Sequence, residues 1–298
     1  MKILLTGSKG QLGREVVKAG INAGLDIISM DLPEIDITDS EKLIRIFSEL
    51  KPSIVINAAA YTAVDLAETQ KNLCYAVNLD GPANLTRLCG KNKARLIHVS
   101  TDYVFDGKAD KPYREIDPVS PVNVYGHSKA EGEKAVLAGP GQHIILRTSW
   151  LYGRYGKNFI KTMLRLGQEK KTIQVVNDQY GCPTCAYDLA EVIIVIAQQL
   201  MENQSNNSGI YHYCGNGITT WYEFAISIFQ LAGELGLKNM PLVTPITTSQ
   251  FPTAAKRPLY TALDCSVIGK SFGVELKPWK YSLKKTIHQI IDSQGWNF

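Results

Sequence analysis

The sequence predicts an α/β fold built on a doubly wound parallel sheet, joined to a smaller mixed α/β portion. In the first half, short apolar runs alternate with helical stretches, which is typical of a parallel sheet with helices on both faces. These runs contain few polar residues, as expected for strands that are covered on both faces. A glycine-rich segment at residues 7–13 connects the first run to the first helical stretch.

The predicted elements follow from these patterns. Strands are predicted at residues 2–6, 26–30, 53–57, 95–100 and 143–148, and helices at 11–22, 41–50, 74–91 and 124–137. The second helix begins at the capping-box pattern Thr38-x-x-Glu41. Later helices are predicted at 159–168, 187–199, 221–235 and 283–292, with strands at 173–176 and 210–213. The proline-rich residues 241–245 and 251–258 indicate loops, and residues 204–209 indicate an exposed turn.

Composition excludes several classes of protein. The formal net charge of +4 is dispersed without a run of basic residues, so neither nucleic acid nor a membrane surface is a predicted partner. The most apolar stretch, residues 189–201, is too short to span a bilayer. The N-terminus starts a strand at once, so no signal peptide is predicted. The six cysteines are therefore expected to be reduced thiols in a cytoplasmic protein, with Cys182 and Cys185 buried beside a turn.

The segment Gly7-Ser8-Lys9-Gly10-Gln11-Leu12-Gly13 has the spacing and context of a dinucleotide-binding loop. Its glycines permit a tight turn, close approach of the pyrophosphate and close packing of helix on strand. The helix N-terminus adds free N–H groups and partial positive charge. We therefore expect a Rossmann-type NAD(P)-binding domain at residues 1–150. Residues 151–298 would be mainly substrate-binding, with some segments returning to the first domain.

The preference between NADH and NADPH stays open in the sequence. Asp31 ends the second predicted strand, where an acid typically binds the ribose hydroxyls and favours NAD. A loop aspartate before Pro33 is the alternative. Lys9 and Arg14 lie where a cation could bind a 2′-phosphate instead.

Three residues predict proton-transfer chemistry. Tyr125 and Lys129 are one helical turn apart, so they share a face, and an ammonium there is expected to lower the pKa of the phenol. Such a tyrosine can protonate a carbonyl oxygen while a hydride reaches the carbon. Thr101 follows the fourth predicted strand, at the edge where open parallel sheets bind ligands.

Together these residues resemble the extended short-chain dehydrogenase/reductases and, within them, the dTDP-4-dehydrorhamnose reductase family. The narrower resemblance covers essentially the whole chain. It rests on residues 60–65 (AYTAVD), 100–107 (STDYVFDG), 147–150 (RTSW), 177–181 (NDQYG), 252–253 (PT) and 257–258 (RP). The family usually has serine where Thr261 stands, which leaves contacts of that loop with the substrate open.

The resemblance implies reduction of the C4 keto group of dTDP-4-dehydro-L-rhamnose to dTDP-L-rhamnose with NADH or NADPH. Tyr125 is then the proton donor, and Lys129 holds the nicotinamide ribose. The implied substrate-binding residues are Thr101, Asp102, Tyr103 and Trp150. The implied cofactor-binding residues are Gly7, Gly10, Gln11, Leu12, Gly13, Asp31, Asp36, Ile37, Ala60, Tyr61, Thr62, Tyr125 and Lys129.

The resemblance also implies a homodimer and, in some members, a Mg²⁺ ion at a subunit contact. Glu15 is the candidate ligand, and a surface glutamate near a helix N-terminus is the alternative reading.

Two other functions remain open. The first is a nucleotide-sugar epimerase or dehydratase of the same fold, although a dehydratase commonly has Asp-Glu after the threonine and here Tyr103 follows Asp102. The second is a non-catalytic, NADP-binding regulatory subunit. The presence of Thr101, Tyr125 and Lys129 argues against that role.

Overall fold

The computed structural model describes residues 1–202, 207–238 and 240–294, so the turn predicted at 204–209 lies partly outside the described residues. The strands are β1 (Lys2–Thr6), β2 (Asp26–Met30), β3 (Ile54–Asn57), β4 (Arg95–Thr101), β5 (Gln142–Thr148), β6 (Leu151–Tyr152), β7 (Thr172–Val176), β8 (Tyr180–Gly181), β9 (Thr184–Cys185), β10 (Gly209–His212), β11 (Thr219–Thr220) and β12 (Leu242–Ile246). The α-helices are α1 (Gln11–Asn22), α2 (Ser40–Leu50), α3 (Val64–Ala67), α4 (Lys71–Tyr75), α5 (Gly81–Asn92), α6 (Val124–Ala138), α7 (Phe159–Glu169), α8 (Ala186–Met201), α9 (Trp221–Glu234), α10 (Ser266–Phe272) and α11 (Trp279–Gln294).

Six strands form one parallel sheet in the order β10-β5-β4-β3-β1-β2. The chain runs outward from β1 to β2 and then crosses back to β3, so the strand order reverses between β1 and β3. This reversal is the topological switch point at which open α/β sheets bind their ligands. The predicted doubly wound parallel sheet is confirmed.

Alternate residues of each strand face opposite layers of helices, because side chains alternate across a strand. In β1, Ile3 and Leu5 belong to the core shared with α1 and α8, whereas Leu4 belongs to the core shared with α2 and α5. All three side chains are fully buried. The continuous apolar runs in the sequence therefore reflect a sheet that is covered on both faces.

A second core lies outside this sheet and joins α7, α9 and α11 to β7. Here one prediction was wrong, because residues 241–245 do not form a loop. Leu242–Ile246 instead form β12, which pairs in parallel with β7 and buries Val243 and Ile246. Pro245 is tolerated because this sheet has only two strands, and therefore only edges.

The later part of the chain also contributes to the first sheet. Strand β10 pairs with β5, and α8 packs against α1. Segments from beyond residue 150 thus complete the sheet and its helical layer. The division of the chain at residue 150 itself stays a prediction.

Two local predictions were wrong in detail. The N-cap of α2 is Asp39, whose side chain accepts a hydrogen bond from the Lys42 amide, whereas the hydroxyl of Thr38 binds Asp36. The single helix predicted at 74–91 is interrupted by a π-helical turn, Ala76–Asp80. All six cysteines are free thiols, as predicted, and the predicted burial of Cys182 and Cys185 extends to the other four. Among the described residues, no helix has the length and apolar character needed to cross a membrane.

Candidate active site

The glycine loop connects β1 to α1 at the switch point. Gly7 has a left-handed backbone with φ of +73°, and a Cβ there would lie 2.5 Å from the amide nitrogen of Ala59. A Cβ on Gly13 would lie 2.2 Å from the carbonyl oxygen of Gly7. No side chain fits at either position without moving the backbone, so both glycines are required for this close packing.

Helix α1 begins with amide groups that no side chain within the described ranges caps. Its N-cap is Gly10, and its first turn contains no acidic residue. The Gln11 side chain is used elsewhere, because its Nε2 donates to the Leu151 carbonyl at 3.1 Å, and Leu12 is buried in the core. The uncapped N–H groups and the positive end of the helix dipole suit a phosphate group. The loop therefore fits the pyrophosphate of a nicotinamide dinucleotide.

Asp31 is held against the glycine loop. One carboxylate oxygen accepts a hydrogen bond from the Lys9 amide at 2.7 Å, and the other accepts one from the Leu32 amide at 2.8 Å. The Lys9 ammonium pairs with Glu34 at 3.1 Å and donates to the Leu32 carbonyl at 2.7 Å. Asp31, the acid expected at the ribose, and Lys9, a cation expected at a 2′-phosphate, thus lie together beside the glycine loop. Each already has a partner.

Asp36 and Ile37 follow in the next loop. The Asp36 carboxylate accepts hydrogen bonds from the Thr38 amide and hydroxyl at 2.9 and 2.7 Å. The Ile37 side chain is buried in the core between the sheet and α2. Contact of these residues with an adenine ring stays a prediction.

The segment after β3 is fixed by a buried asparagine that the sequence analysis missed. Asn78, in the π-helical turn, accepts from the Tyr61 amide at 2.9 Å and donates to the Tyr61 carbonyl at 3.1 Å. It also donates to the Ser128 hydroxyl of α6 at 3.0 Å. Ala60 and Tyr61 are half-buried, and Thr62 is exposed. Asn78 thus ties this predicted cofactor-binding segment to the helix that carries Tyr125 and Lys129.

Thr101 and Asp102 lie at the carboxyl end of β4. The Thr101 hydroxyl donates to Asp102 Oδ1 at 3.0 Å and accepts from the Tyr103 amide at 3.2 Å. Asp102 is 2% exposed, and its Oδ2 has no hydrogen-bond partner in the described part of the chain. Burial raises the pKa of Asp102 to about 7, against the influence of the Thr261 and Thr101 side chains.

Tyr125 and Lys129 are both buried on α6, whose first turn is capped by the Asn123 side chain. The Lys129 ammonium donates to the Val99 carbonyl of β4 at 2.7 Å, and burial lowers its pKa to about 8. Burial also raises the pKa of Tyr125 well above its usual range, and the Thr101 side chain is the main influence that opposes this rise. The predicted lowering of the tyrosine pKa by Lys129 is not observed, because burial of the phenol dominates.

A buried ion pair lies behind these residues. Glu133, one turn after Lys129, binds Arg147 Nη2 at 2.6 Å and Nε at 2.9 Å. Glu133 also accepts a hydrogen bond from the Ser100 hydroxyl at 2.5 Å. The pair joins α6 to β4 and β5 and was not predicted, although a charged Arg147 inside an apolar strand is a signal for a buried partner.

Trp150 has an unusual backbone conformation for an aromatic residue, with φ of +46°. Its ring stacks on Trp221 at a centroid distance of 3.6 Å and an interplanar angle of 7°. The Phe159 ring also packs against Trp221, at a centroid distance of 4.7 Å. Left-handed backbone at a bulky residue indicates a conformation that the surrounding packing imposes.

A cavity of about 810 Å³ opens beside this stack. It is largely apolar but includes Arg257, whose Nη2 pairs with Asp65 at 2.7 Å. The Nη1 of Arg257 is buried and has no hydrogen-bond partner among the described residues. Thr101 and Tyr125 are not among the lining residues. The lining is Asp65, Tyr103, Phe159, Thr162, Met163, Leu166, Lys170, Thr172, Ile173, Gln174, Val175, Val176, Gln179, Trp221, Phe251, Thr253 and Arg257.

Glu15 is a buried residue, so the prediction of a surface glutamate was wrong. It is 2% exposed and pairs with Arg154 at 3.2 Å. No group of three histidine, cysteine or acidic side chains within the described ranges could hold a metal ion. A Mg²⁺ ion at a subunit contact stays a prediction.

The strand order and the glycine loop at its switch point define a Rossmann-type, NAD(P)-dependent oxidoreductase. A family model described as "RmlD substrate binding domain" matches residues 1–291. The dTDP-4-dehydrorhamnose reductase of Aggregatibacter actinomycetemcomitans is 44% identical, over 95% of this chain and 97% of that protein. The chain therefore belongs to the dTDP-4-dehydrorhamnose reductase family.

Solved structures agree with this assignment. A dTDP-4-dehydrorhamnose reductase from Clostridium acetobutylicum is 42% identical and has a TM-score of 0.91, covering 97% of this chain and 99% of that chain. A second reductase, from Bacillus anthracis in complex with NADP, is 36% identical with a TM-score of 0.88 over the same shares. The predicted family and fold are confirmed, whereas the individual site residues stay predictions.

Proposed function

We propose that this protein reduces the C4 keto group of dTDP-4-dehydro-L-rhamnose to dTDP-L-rhamnose with NADH or NADPH, in dTDP-rhamnose biosynthesis. The observation that carries the proposal is the position of Thr101 at the end of β4, where its side chain acts on Tyr125 and where Lys129 donates to the same strand. The chain also matches reductases over almost its full length. When bound, the reduced nicotinamide supplies the hydride that the sugar C4 accepts.

The residues of the chain handle the proton. Tyr125 donates its phenolic proton to the oxygen at C4 as negative charge develops there. Because the pKa of Tyr125 is raised, the phenol is protonated at neutral pH and ready to donate. Lys129 remains within α6, one turn away, where its ammonium can hold the ribose hydroxyls and stabilise the phenolate that forms when Tyr125 gives up its proton. Thr101 donates a hydrogen bond to the same oxygen.

The cavity suits the nucleotide part of the substrate. Phe159 and Trp221 offer aromatic faces for a pyrimidine base, and Arg257 offers a buried N–H that has no partner among the residues the structure describes. A guanidinium is the group of choice for phosphate oxygens. We therefore assign the diphosphate of the substrate to Arg257. Tyr103 lines the same cavity and packs edge to face against Tyr125 at a centroid distance of 5.7 Å, so it connects the two sites.

Two further properties belong to this proposal. We expect the protein to act in the cytoplasm, where its six free thiols stay reduced. We also expect a homodimer, which light scattering of the purified protein at several concentrations would detect as twice the mass of the chain.

The test is a spectrophotometric assay with freshly prepared dTDP-4-dehydro-L-rhamnose. NADH and NADPH are offered separately, and oxidation is followed together with the appearance of dTDP-L-rhamnose. Sugar-dependent oxidation with that product establishes the activity and the cofactor preference. An epimerase would instead retain its NAD through purification and consume no added cofactor. A regulatory subunit would show no turnover with either cofactor.

A further inference from the structure

The protonation state of the Asp102 carboxyl group determines where the neighbouring Thr101 hydroxyl can donate its hydrogen bond. Thr101 Oγ1 has one proton and two lone pairs, and it already accepts from the Tyr103 amide at 3.2 Å. Its single proton is directed at Asp102 Oδ1, 3.0 Å away. A carboxylate can only accept hydrogen bonds, so an ionised Asp102 keeps the Thr101 proton. The hydroxyl then has no proton left for Tyr125 or for a substrate oxygen.

A protonated Asp102 reverses this bond. The carboxylic acid of Asp102 then donates to the remaining lone pair of Thr101. The Thr101 proton becomes free to point toward Tyr125 or a substrate oxygen. The surroundings favour the neutral form, because Asp102 is almost fully buried and its Oδ2 has no partner among the described residues. An unpaired carboxylate there would also oppose the negative charge that develops on the keto oxygen.

We propose that Asp102 works as a neutral carboxylic acid, donating a hydrogen bond to Thr101 so that Thr101 can donate to the keto oxygen of the substrate. This inference rests on the proposed reduction and deepens it. Asp102 is on this account a positioning residue that acts through Thr101, in addition to any contact with the sugar. No proton leaves Asp102 or Thr101 in this step, because both groups only donate hydrogen bonds and Tyr125 supplies the proton.

The charged and titratable groups around Asp102 support the neutral form. Tyr103 and Tyr125 are buried phenols whose pKa values are raised, and the Cys182 thiol faces Asp102 from the segment before β9. The Thr261 hydroxyl and the backbone amides of Asp102 and Tyr103 act in the other direction and lower the pKa of Asp102, but burial outweighs them. Within the described part of the chain, no cation is one of the main influences on Asp102.

The proposal predicts a pH profile. Since the pKa of Asp102 is raised to about 7, the active neutral form is lost as the pH rises through that value. Lys129, with a pKa lowered to about 8, would lose its charge next. In the wild type, kcat/KM should therefore begin to fall near pH 7.

Asp102→Asn is the decisive variant, because its amide can donate to Thr101 at every pH. Its kcat/KM at low pH should stay within about tenfold of the wild-type value, and the decline at high pH should move up to about 8, where Lys129 titrates. The matched control is Asp110→Asn in the same loop, an exposed carboxylate whose loss should leave the wild-type profile intact. The proposal would be overturned if kcat/KM of Asp102→Asn fell at the same pH as that of the wild type. It would also be overturned if the variant were inactive at every pH.

Coupling to Thr101 separates positioning from direct electrostatics. In a Thr101→Val background, the added Asp102→Asn exchange should leave the residual pH profile unchanged, because the hydroxyl that Asp102 orients is gone. If the profile still shifts, Asp102 acts on Tyr125 or the substrate without Thr101, and the proposal is wrong.

Thermal unfolding tests the neutral acid without any substrate. The folded protein holds the Asp102 proton up to about pH 7, whereas the unfolded chain loses it near the ordinary value of 3.8. Stability therefore falls as the pH rises between these values. Asp102→Asn has no carboxyl group to titrate, so its stability does not fall in this way. The Tm of the variant minus that of the wild type should therefore increase as the pH rises from about 4 to 7. A constant difference in Tm would refute the neutral acid, and it can be read even if the sugar is not turned over.

Discussion

The carboxyl edge of the six-stranded sheet and the cavity beside it are built from different kinds of contact. The sheet edge contains three buried charged residues, Lys129, Glu133 and Arg147. Lys129 donates to Val99 at 2.7 Å, and Glu133 accepts from Ser100 and Arg147 at 2.5 to 2.9 Å. In the cavity, stacked aromatic rings and apolar side chains form most of the wall. Directional bonds fix one arrangement of groups, whereas apolar contacts accept small changes of shape.

This difference matches two roles: proton transfer at the sheet edge and recognition of the sugar nucleotide in the cavity. Groups that transfer a proton must be held within a fraction of an ångström, so buried polar networks belong at the sheet edge. Groups that choose a sugar nucleotide need shape and a few polar contacts. Substitutions at the sheet edge should therefore reduce kcat or stability, and substitutions in the cavity should change mainly the KM for the sugar nucleotide.

The largest effect is expected at Tyr125. The Tyr125→Phe variant keeps the ring but loses the proton donor, so kcat should fall by about a hundred- to ten-thousand-fold. Cofactor affinity, measured by fluorescence titration, should change little. The control is Tyr281→Phe, because Tyr281 is 68% exposed and far along the chain on α11. A Tyr125→Phe enzyme with wild-type kcat would contradict the assignment of the proton donor.

The buried ion pair should be the next most sensitive feature. Glu133→Gln leaves the guanidinium of Arg147, which is 1% exposed, without its counter-charge. The expected loss in free energy of unfolding is about 3–5 kcal/mol, measured by urea denaturation. Glu131→Gln on the same helix removes an exposed pair with Lys134 and should cost no more than about 1 kcal/mol. Equal losses for the two variants would show that the sheet edge does not depend on this pair.

The sequence predicted the sheet edge far better than the cavity. Glycine spacing, apolar runs and strand ends are local signals, and they located β1, α1 and the positions of Thr101 and Tyr125. The direction of hydrogen bonds at Thr101 and the pKa of Tyr125 depend on burial by distant segments, which local patterns do not contain. The predicted lowering of that pKa failed for this reason.

The cavity depends on contacts that are distant in the sequence. Asp65 pairs with Arg257 and Trp150 stacks on Trp221, and in each pair the two residues lie far apart in the chain. The proline in β12 concealed that strand, since proline normally indicates a loop. Family resemblance identified Trp150, whereas Trp221 carried no signal beyond an apolar residue at the start of a helix.

The glycine loop offers a test of sterics against backbone strain. Gly7 and Gly24 have similar left-handed φ angles, +73° and +69°, but only Gly24 has open space around its missing Cβ. Gly24→Ala should therefore cost about 1–2 kcal/mol of stability and leave cofactor affinity unchanged. Gly7→Ala should additionally weaken cofactor binding by at least about tenfold, because the segment at Ala59 must move. Equal cofactor affinities in the two variants would rule out close packing as the function of Gly7.

The smallest effect should appear at Trp221, because it belongs to the adaptable region. Trp221→Leu removes the aromatic stack on Trp150, a contact that contributes about 0.5–1.5 kcal/mol. The KM for the sugar nucleotide should rise about two- to twelve-fold, while the KM for the cofactor stays constant. Trp221→Phe retains an aromatic face and should recover most of the affinity. If Trp221→Leu instead lowers kcat as strongly as Tyr125→Phe does, the stack helps to position the reacting groups, and the cavity is no more adaptable than the sheet edge.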